Sequence, residues 1–282
     1  MANSYSRKSV TVAITIEGRR MAFPGFATKV QIKRQGSPEL PSAKVQIWGL
    51  SEARLSELTM LAFNALSLKP NRIEITAEDE GNFRSVLFEG EITNSVPDFN
   101  AAPSPVLNIE AITASFAKLA PTPPVAVAGT QTAASLCEQF AKEAGLAFRN
   151  EGVTASLSDC VINGDPVHKL EWVARSVEAD LVIDDKEAVL IPASGSRGRT
   201  ASVTAINAAT GMVGYPSFDN MGIRLKTFLR PDLVVGQLMQ VSSMLPRASG
   251  TWKIYSLEHE LASGLPNGGA WFTSVAGTWQ GG

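Results

Sequence analysis

The sequence predicts a mainly β protein with a small α+β insert, flanked on each side by a β domain of barrel or sandwich type. Three observations predict it. Apolar and polar residues alternate with a period of two through roughly the first hundred residues, and the alternation returns after residue 200. A Pro- and Gly-bearing stretch, "KLAPTPPVAVAGTQ" at 118–131, breaks the pattern and reads as an extended linker. Two segments of helical period and an apolar hairpin then follow before residue 192. The expected division is a first β domain at 1–120, the linker and α+β domain at 121–192, and a second β domain at 193–282.

The elements follow in order. In "VTVAITIE" the apolar Val10, Val12, Ile14 and Ile16 alternate with Thr11, Ala13, Thr15 and Glu17, as a half-buried strand requires. "KVQIKR" (29–34), "AKVQIWG" (43–49), "RIEITAE" (72–78), "SVLFEGEITNSV" (85–96) and "PVLNIEAI" (105–112) repeat that alternation. One helix interrupts them: "GLSEARLSELTMLAF" (49–63) places Leu55, Leu58 and Leu61/Ala62 at helical spacing, with Ser51 as N-cap. After the linker, "QTAASLCEQFAKEAG" is a helix with Leu136, Phe140 and Ala144 on one face and Gly145 as its cap. "LAFRN" is a short strand. In "GDPVHKLEWVARSVEAD", Asp165 caps a second helix and Pro166 takes its first position, where the missing N–H costs nothing. Two apolar runs around Asp184-Asp185 form a hairpin at 181–192. "ASVTAIN", "GIRLKTFL", "LMQVSS", "TWKIYSLEHEL" and "AWFTSVAGTW" complete the second β domain, and the tail "QGG" is expected to fray. Two β domains of similar size raise an old duplication, although no tandem repeat is visible.

Composition narrows the function classes. A net charge of −2 and short basic patches beside loops give no basic stripe for nucleic acid. A charged content of 18% is low and hints at a surface covered in an assembly. Cys137 and Cys160, the two cysteines, are too few and too far apart for a disulfide framework or a zinc site. No apolar leader segment opens the sequence and no run of 18 apolar residues could span a membrane, so folding in cytoplasm is expected.

Candidate chemistry is sparse. The sequence contains none of the nucleophile-elbow, zincin or P-loop motifs. His168 falls in the first turn of a helix, and His259 shares a strand face with Leu257 and Leu261. Glu78, Asp79 and Glu80 offer the carboxylates a hydrolase would need, but in a turn where charge is expected in any case. Asp219-Asn220 lacks cation-loop spacing around it. "TGMVGYPS" (210–217) has the glycines of a phosphate loop, yet a strand-like segment follows it where the anion would need a helix N-terminus. It reads instead as a structural corner, with Gly211 and Gly214 supplying unusual backbone and Pro216 stiffening the exit. Trp48, Trp252 and Trp271 are the candidate packing residues. No catalytic residue, metal or cofactor is expected.

The order of these turns resembles that of baseplate hub proteins of tailed bacteriophages. "TGMVGYPS", the following Gly-Ile strand, "RPDLVVGQ", "QVSS", "GTWKIYSLEHEL" and "PNGGAW" match the C-terminal half of that family, with Leu and Met opening "LMQVSS" where valine is common. "VQIWGLSEARLSELT" resembles its strand–Gly-Leu-Ser–helix, "VLFEG" opens its F-x-G-x-I strand, and "KLAPTPP" resembles its linker. The match is one of turns and packing positions and carries no catalytic role.

The resemblance implies two β domains with the tail-tube fold in each chain of a homotrimer, six quasi-equivalent modules in all. Such a ring would adapt a sixfold tail tube to a threefold central spike and leave a channel for DNA ejection. It implies as partners the spike, the tube or distal tail protein, other baseplate proteins and the tape measure protein, with no sequence-specific nucleic acid and no membrane insertion. It places the protein in the virion baseplate, assembled in the host cytoplasm, without a fused spike or lysozyme domain. The hub part of type VI secretion spikes is a neighbouring assembly. The alternatives are a peptidoglycan-hydrolysing tail protein acting through Glu78, Asp79 and Glu80, or a cell-wall-binding module at 125–192.

Overall fold

The computed structural model describes residues 6–59, 70–100, 105–120, 122–198 and 203–280. Leu61, Ala62, Pro121 and the last two glycines, which the sequence reading used, lie outside them. The chain divides into two compact units. Unit 1 comprises Met1–Ile32, Ser42–Thr113 and His259–Phe272; unit 2 comprises Lys33–Pro41, Ala114–Glu258 and Thr273–Gly282.

Unit 1 is built from β1 (Lys8–Ile16), β2 (Arg19–Phe23), β3 (Ala27–Gln35, its last three residues counted with unit 2), β4 (Ser42–Trp48), α1 (Glu52–Leu58), β5 (Arg72–Asp79), β6 (Phe83–Asp98) and β7 (Val106–Ile112), together with residues 259–272 of the last two strands. Its strands follow the order β3-β4-β7-β6-β5-β1-β2. The period-2 residues do what alternation demands: Val10, Val12, Ile14, Val45, Ile47, Ile73 and Ile75 are buried. Ser51 caps α1 by accepting from the Arg54 N–H, and Leu55 and Leu58 are its buried residues. In the segment "FEG" the Phe88 ring covers the Gly90 backbone so closely that a Cβ there would lie 2.5 Å from it.

Unit 2 carries two apolar clusters. The first is the α+β module: α2 (Ser115–Leu119), β8 (Val125–Thr132), α3 (Ala133–Glu143), β9 (Ala147–Asn150), β10 (Ser156–Ile162), α4 (Pro166–Ser176), β11 (Ala179–Ile183) and β12 (Glu187–Pro192). Leu136, Phe140, Leu170 and Val173 from the two long helices meet Leu181, Ile183 and Leu190 from the sheet. β11 and β12 form the expected hairpin, and β9 adds to it in parallel. Asp165 caps α4 by accepting from the His168 N–H at 2.9 Å, with Pro166 at the first helical position. One expectation changes. The stretch read as a linker contains the last residues of α2 and most of β8, which pairs antiparallel with β10. The prolines stop short of residue 125, so every donor that β8 needs for its ladder is present.

The second cluster belongs to β13 (Thr204–Ile206), β14 (Met212–Phe218), β15 (Ile223–Phe228), β16 (Leu238–Val241), β17 (Gly250–Ser263) and β18 (Trp271–Trp279). The order is β14-β15-β18-β17, with β16 pairing β17 and β13 pairing β16. The molecule is mainly β, as expected, but the strand path ends at β2 in unit 1 and at β14 in unit 2 and closes no barrel. The barrel half of the barrel-or-sandwich expectation is therefore corrected to open, mainly antiparallel sheets. Among the described residues β2 pairs only with β1 and β14 only with β15, so each path stays open at that end.

Candidate assembly surface

The corner stretch lies at the free end of this second β region. Asn207 begins it with a reciprocal cap: its side chain accepts from the Ala209 and Thr210 N–H groups, and the Thr210 hydroxyl accepts from the Asn207 N–H at 2.8 Å. Gly211 then turns the chain at φ 104°, and its carbonyl accepts from the Phe228 N–H and the Thr227 hydroxyl, both at 3.0 Å. From there the chain runs as β14. In its pairing with β15, Val213 faces Lys226 and Ser217 faces Arg224, so Gly214, Tyr215 and Pro216 together oppose a single residue. This bulge uses φ 70° at Gly214, buries Pro216 and turns Tyr215 outward, 66% exposed.

Tyr215 meets a neighbour that is more exposed still. Its hydroxyl is 3.8 Å from the sulfur of Met244, which is 82% exposed, and Leu245 follows in the same turn. The β14–β15 hairpin also exposes Val213, Phe218, Met221 and Phe228. A concentration of large apolar side chains on one hairpin and one turn is the usual mark of a surface that another molecule covers. Strand addition is discouraged there, because Pro216 has no N–H and the bulge bends the edge. Contact would run through side chains.

Behind the edge, alternation sorts β15 cleanly: Ile223, Leu225 and Thr227 are buried, whereas Arg224 and Phe228 are exposed. Arg224 and Lys226 join Ser217, Ser256, Glu258 and Ser274 along a shallow trough of about 350 Å3. Asp219 organises the hairpin turn. It accepts from the Met221 and Gly222 N–H groups at 2.8 Å, from Arg224 Nε at 2.6 Å and from the Tyr255 hydroxyl at 3.2 Å. The hydrogen bond from Arg224, with those from the backbone, holds its carboxyl down at about 2. Asp219 is thus a turn cap with a guanidinium partner.

The other sequence candidates sit apart from this surface. Trp252 is buried, donates its Nε1–H to the Ala248 carbonyl at 3.0 Å and stands edge-on to Trp279, ring centroids 4.9 Å apart. Trp271 is buried in unit 1 with Lys8 Nζ 5.9 Å from its ring, and Trp48 is half-buried at the end of β4. His168 is exposed and His259 buried. Glu78, Asp79 and Glu80 end β5 and turn toward β6, the Glu80 N–H donating to the Arg7 carbonyl at 3.0 Å. Asp184 and Asp185 are largely buried, gripped by Arg34, with Arg197 also on Asp184. Arg197 reaches Glu187 at 3.1 Å, and Arg149 joins Glu187 and Glu151 at 3.1 and 3.4 Å. Burial opposes the charge on Asp184, but the two guanidiniums outweigh it and keep its carboxyl below the ordinary range. Among the described residues no group of three or more His, Cys, Asp or Glu is placed to hold a metal ion, and no helix is long and apolar enough to cross a membrane.

The sequence reading missed Met244 and Leu245. The available signal was "SMLPR", an apolar pair beside a proline between two strands, where a turn ordinarily carries polar residues.

Comparison with known proteins follows the same lines. The family model described as "Baseplate hub gp41" matches residues 9–266. No curated protein matches the chain. Among solved structures it is similar to a tail protein from Neisseria meningitidis MC58, at TM-score 0.67 and 12% identity over 96% of both chains. It is similar to the 43 kDa tail protein of prophage MuSo2 from Shewanella oneidensis, at TM-score 0.64 and 11% identity over 95% of this chain and 96% of that one. It is also similar to the E. coli c3393 protein, described as a type VI secretion component resembling T4 tail proteins gp27 and gp5. There the TM-score is 0.59 at 11% identity, over 94% of this chain and 76% of that one. At such identities these likenesses show the fold.

Proposed function

Because this chain belongs to the baseplate hub gp41 family, we propose that it is a trimeric baseplate hub that adapts a sixfold tail tube to a threefold spike and leaves a channel for DNA ejection. The role is structural rather than enzymatic. Its partners are further copies of itself, the spike, the tube or distal tail protein, other baseplate proteins and the tape measure protein, and it is assembled in the host cytoplasm. The three-part plan of 1–120, 121–192 and 193–282 belongs to this reading, the first and last parts serving as the repeated modules of the ring. A trimer imitates a sixfold ring only if each chain carries two such modules.

The observation that carries the reading, beside family membership, is the apolar surface of Tyr215, Met244 and Leu245 on a blunted strand edge. The low net charge of −2 supports it from another side, since a strongly basic passage would retain DNA phosphates.

Cryo-EM of the purified protein tests the proposal. The expected image is a particle of threefold symmetry with a central hole, and a trimer by mass from the 30.0-kDa chain. The double variant Tyr215→Glu, Met244→Glu is expected to shift the protein to monomers without lowering the melting temperature of the monomer, since both side chains are exposed. A wild-type protein that stays monomeric at high concentration overturns the trimer.

A further inference from the structure

Among the described residues the main strand path has two ends, β2 and β14, and their chemistry differs. β2 is five residues long and opens with Arg19 and Arg20, whose side chains are 69% and 60% exposed. Each guanidinium is paired on its own chain, Arg19 with Glu57 at 3.2 Å and Arg20 with Glu74 at 2.6 Å. Such bonds engage the edge of a guanidinium, and its flat face stacks independently of them. β14 presents two aromatic side chains, Tyr215 and Phe218, both exposed. Neither end suits continuation of the sheet by hydrogen bonds, since β2 is short and charged and β14 is bulged and lacks the Pro216 N–H.

Symmetry restricts which ends can meet. Contact between two like ends relates the copies by a twofold axis and stops at a dimer. A threefold ring closes only if one surface meets a different one on the next copy. The two ends form such an unlike pair, and their side chains are complementary. The negative face of an aromatic ring attracts a cation, and a planar guanidinium stacks on it. Arginine and the aromatic residues are also the types enriched where proteins meet.

We propose that the β2 end of one copy seats on the β14 end of the next, with Arg19 and Arg20 packed on Tyr215 and Phe218, and that three such contacts close the ring. The occupant of each surface is a second copy of this chain. The pairing rests on the trimeric hub reading and adds to it the surface that receives the hairpin.

The test places the photo-crosslinker p-benzoylphenylalanine in place of Phe218 and mixes isotopically heavy and light full-length protein. Crosslinks from position 218 of one chain to residues 19–23 of a chain of the other isotope are expected by mass spectrometry. Arg19→Ser, Arg20→Ser is expected to raise the concentration needed for trimers about tenfold. Arg19→Lys, Arg20→Lys keeps the charges and the pairing with Glu57 and Glu74 but lacks the flat face, so it should weaken the trimer as well. That milder variant reads the stacking even if the serine variant perturbs folding. The proposal is overturned by intermolecular crosslinks that fall away from β2, or by a lysine variant that trimerises as the wild type does. A wild-type trimer whose crosslinks lie elsewhere keeps the hub and loses the pairing of ends, whereas a wild-type protein that stays monomeric loses both.

Discussion

Gly211 and Gly214 stand three residues apart, both with positive φ, and the structure assigns them different costs. At Gly214 the backbone sits at φ 70°, close to the left-handed well, and a Cβ would meet nothing within 4 Å. Gly214→Ala therefore adds only left-handed strain, about 1–2 kcal/mol. The lost flexibility of the unfolded chain offsets about 0.4–1 kcal/mol of it. The net loss is about 1 kcal/mol, or roughly 2–4 °C in melting temperature for a chain of this size class. At Gly211 φ is 104°, well beyond the left-handed well, and a Cβ would press on the Phe228 ring at 3.1 Å. The same residue accepts two hydrogen bonds that hold the hairpin end, so Gly211→Ala adds displaced ring and weakened bonds to the strain. A loss of about 2–4 kcal/mol follows.

Asparagine sharpens the comparison, because it tolerates the left-handed well. Gly214→Asn should recover most of the stability that Gly214→Ala loses, whereas Gly211→Asn should recover little. Thermal and urea unfolding of the four variants measure the order directly. Equal losses at both positions, or a larger loss at Gly214, would refute the reasoning that separates conformational strain from crowding here.

Further outcomes follow from the same structure. Asp184→Asn at pH 7 removes the charge that Arg34 and Arg197 share, and its side chain is only 13% exposed, so about 2–4 kcal/mol is lost, read as a lower urea midpoint. The folded Asp184 carboxyl lies below its unfolded value near 3.9. Its contribution is complete above that value and is lost as pH falls through the lower folded one, so wild-type stability should decline more steeply in that acid window than that of Asp184→Asn. Burial pushes the Cys137 thiol up to about 12, and Cys160 is half-exposed; a thiol reagent should modify Cys160 in the folded protein and reach Cys137 only on unfolding. Trp252→Phe loses the bond to the Ala248 carbonyl and should cost about 1–3 kcal/mol, leaving a buried acceptor unpaired.

What the residues announced in advance were the features governed by local rules. Alternation located β1, β3, β4 and β5 because one face of each is buried. Caps located α1 and α4 because Ser51 and Asp165 act within their own turn. β10 was not legible, since the register slips between Ser158 and Cys160, where Asp159 at φ 45° opposes both Ala128 and Gly129 of β8, and the period that would have marked the strand breaks there. The grip of Arg34 and Arg197 on Asp184 joins positions 150 and 13 residues apart, and nothing local distinguishes that acidic pair from a solvated hairpin turn. For the candidate surface, sequence reasoning found the Gly-Tyr-Pro corner but not its neighbour, because Tyr215 meets Met244 only through folding.

The order in which the two units take up the chain has a consequence for biosynthesis. Unit 1 begins at the N-terminus but needs His259–Phe272, which includes the buried Trp271. A ribosome must pass residue 272 before that unit can finish folding, so the apolar strands of residues 8–112 wait unfinished until then. A truncation that removes residues 259–272 would then undo the unit laid down first as well as the segment it deletes.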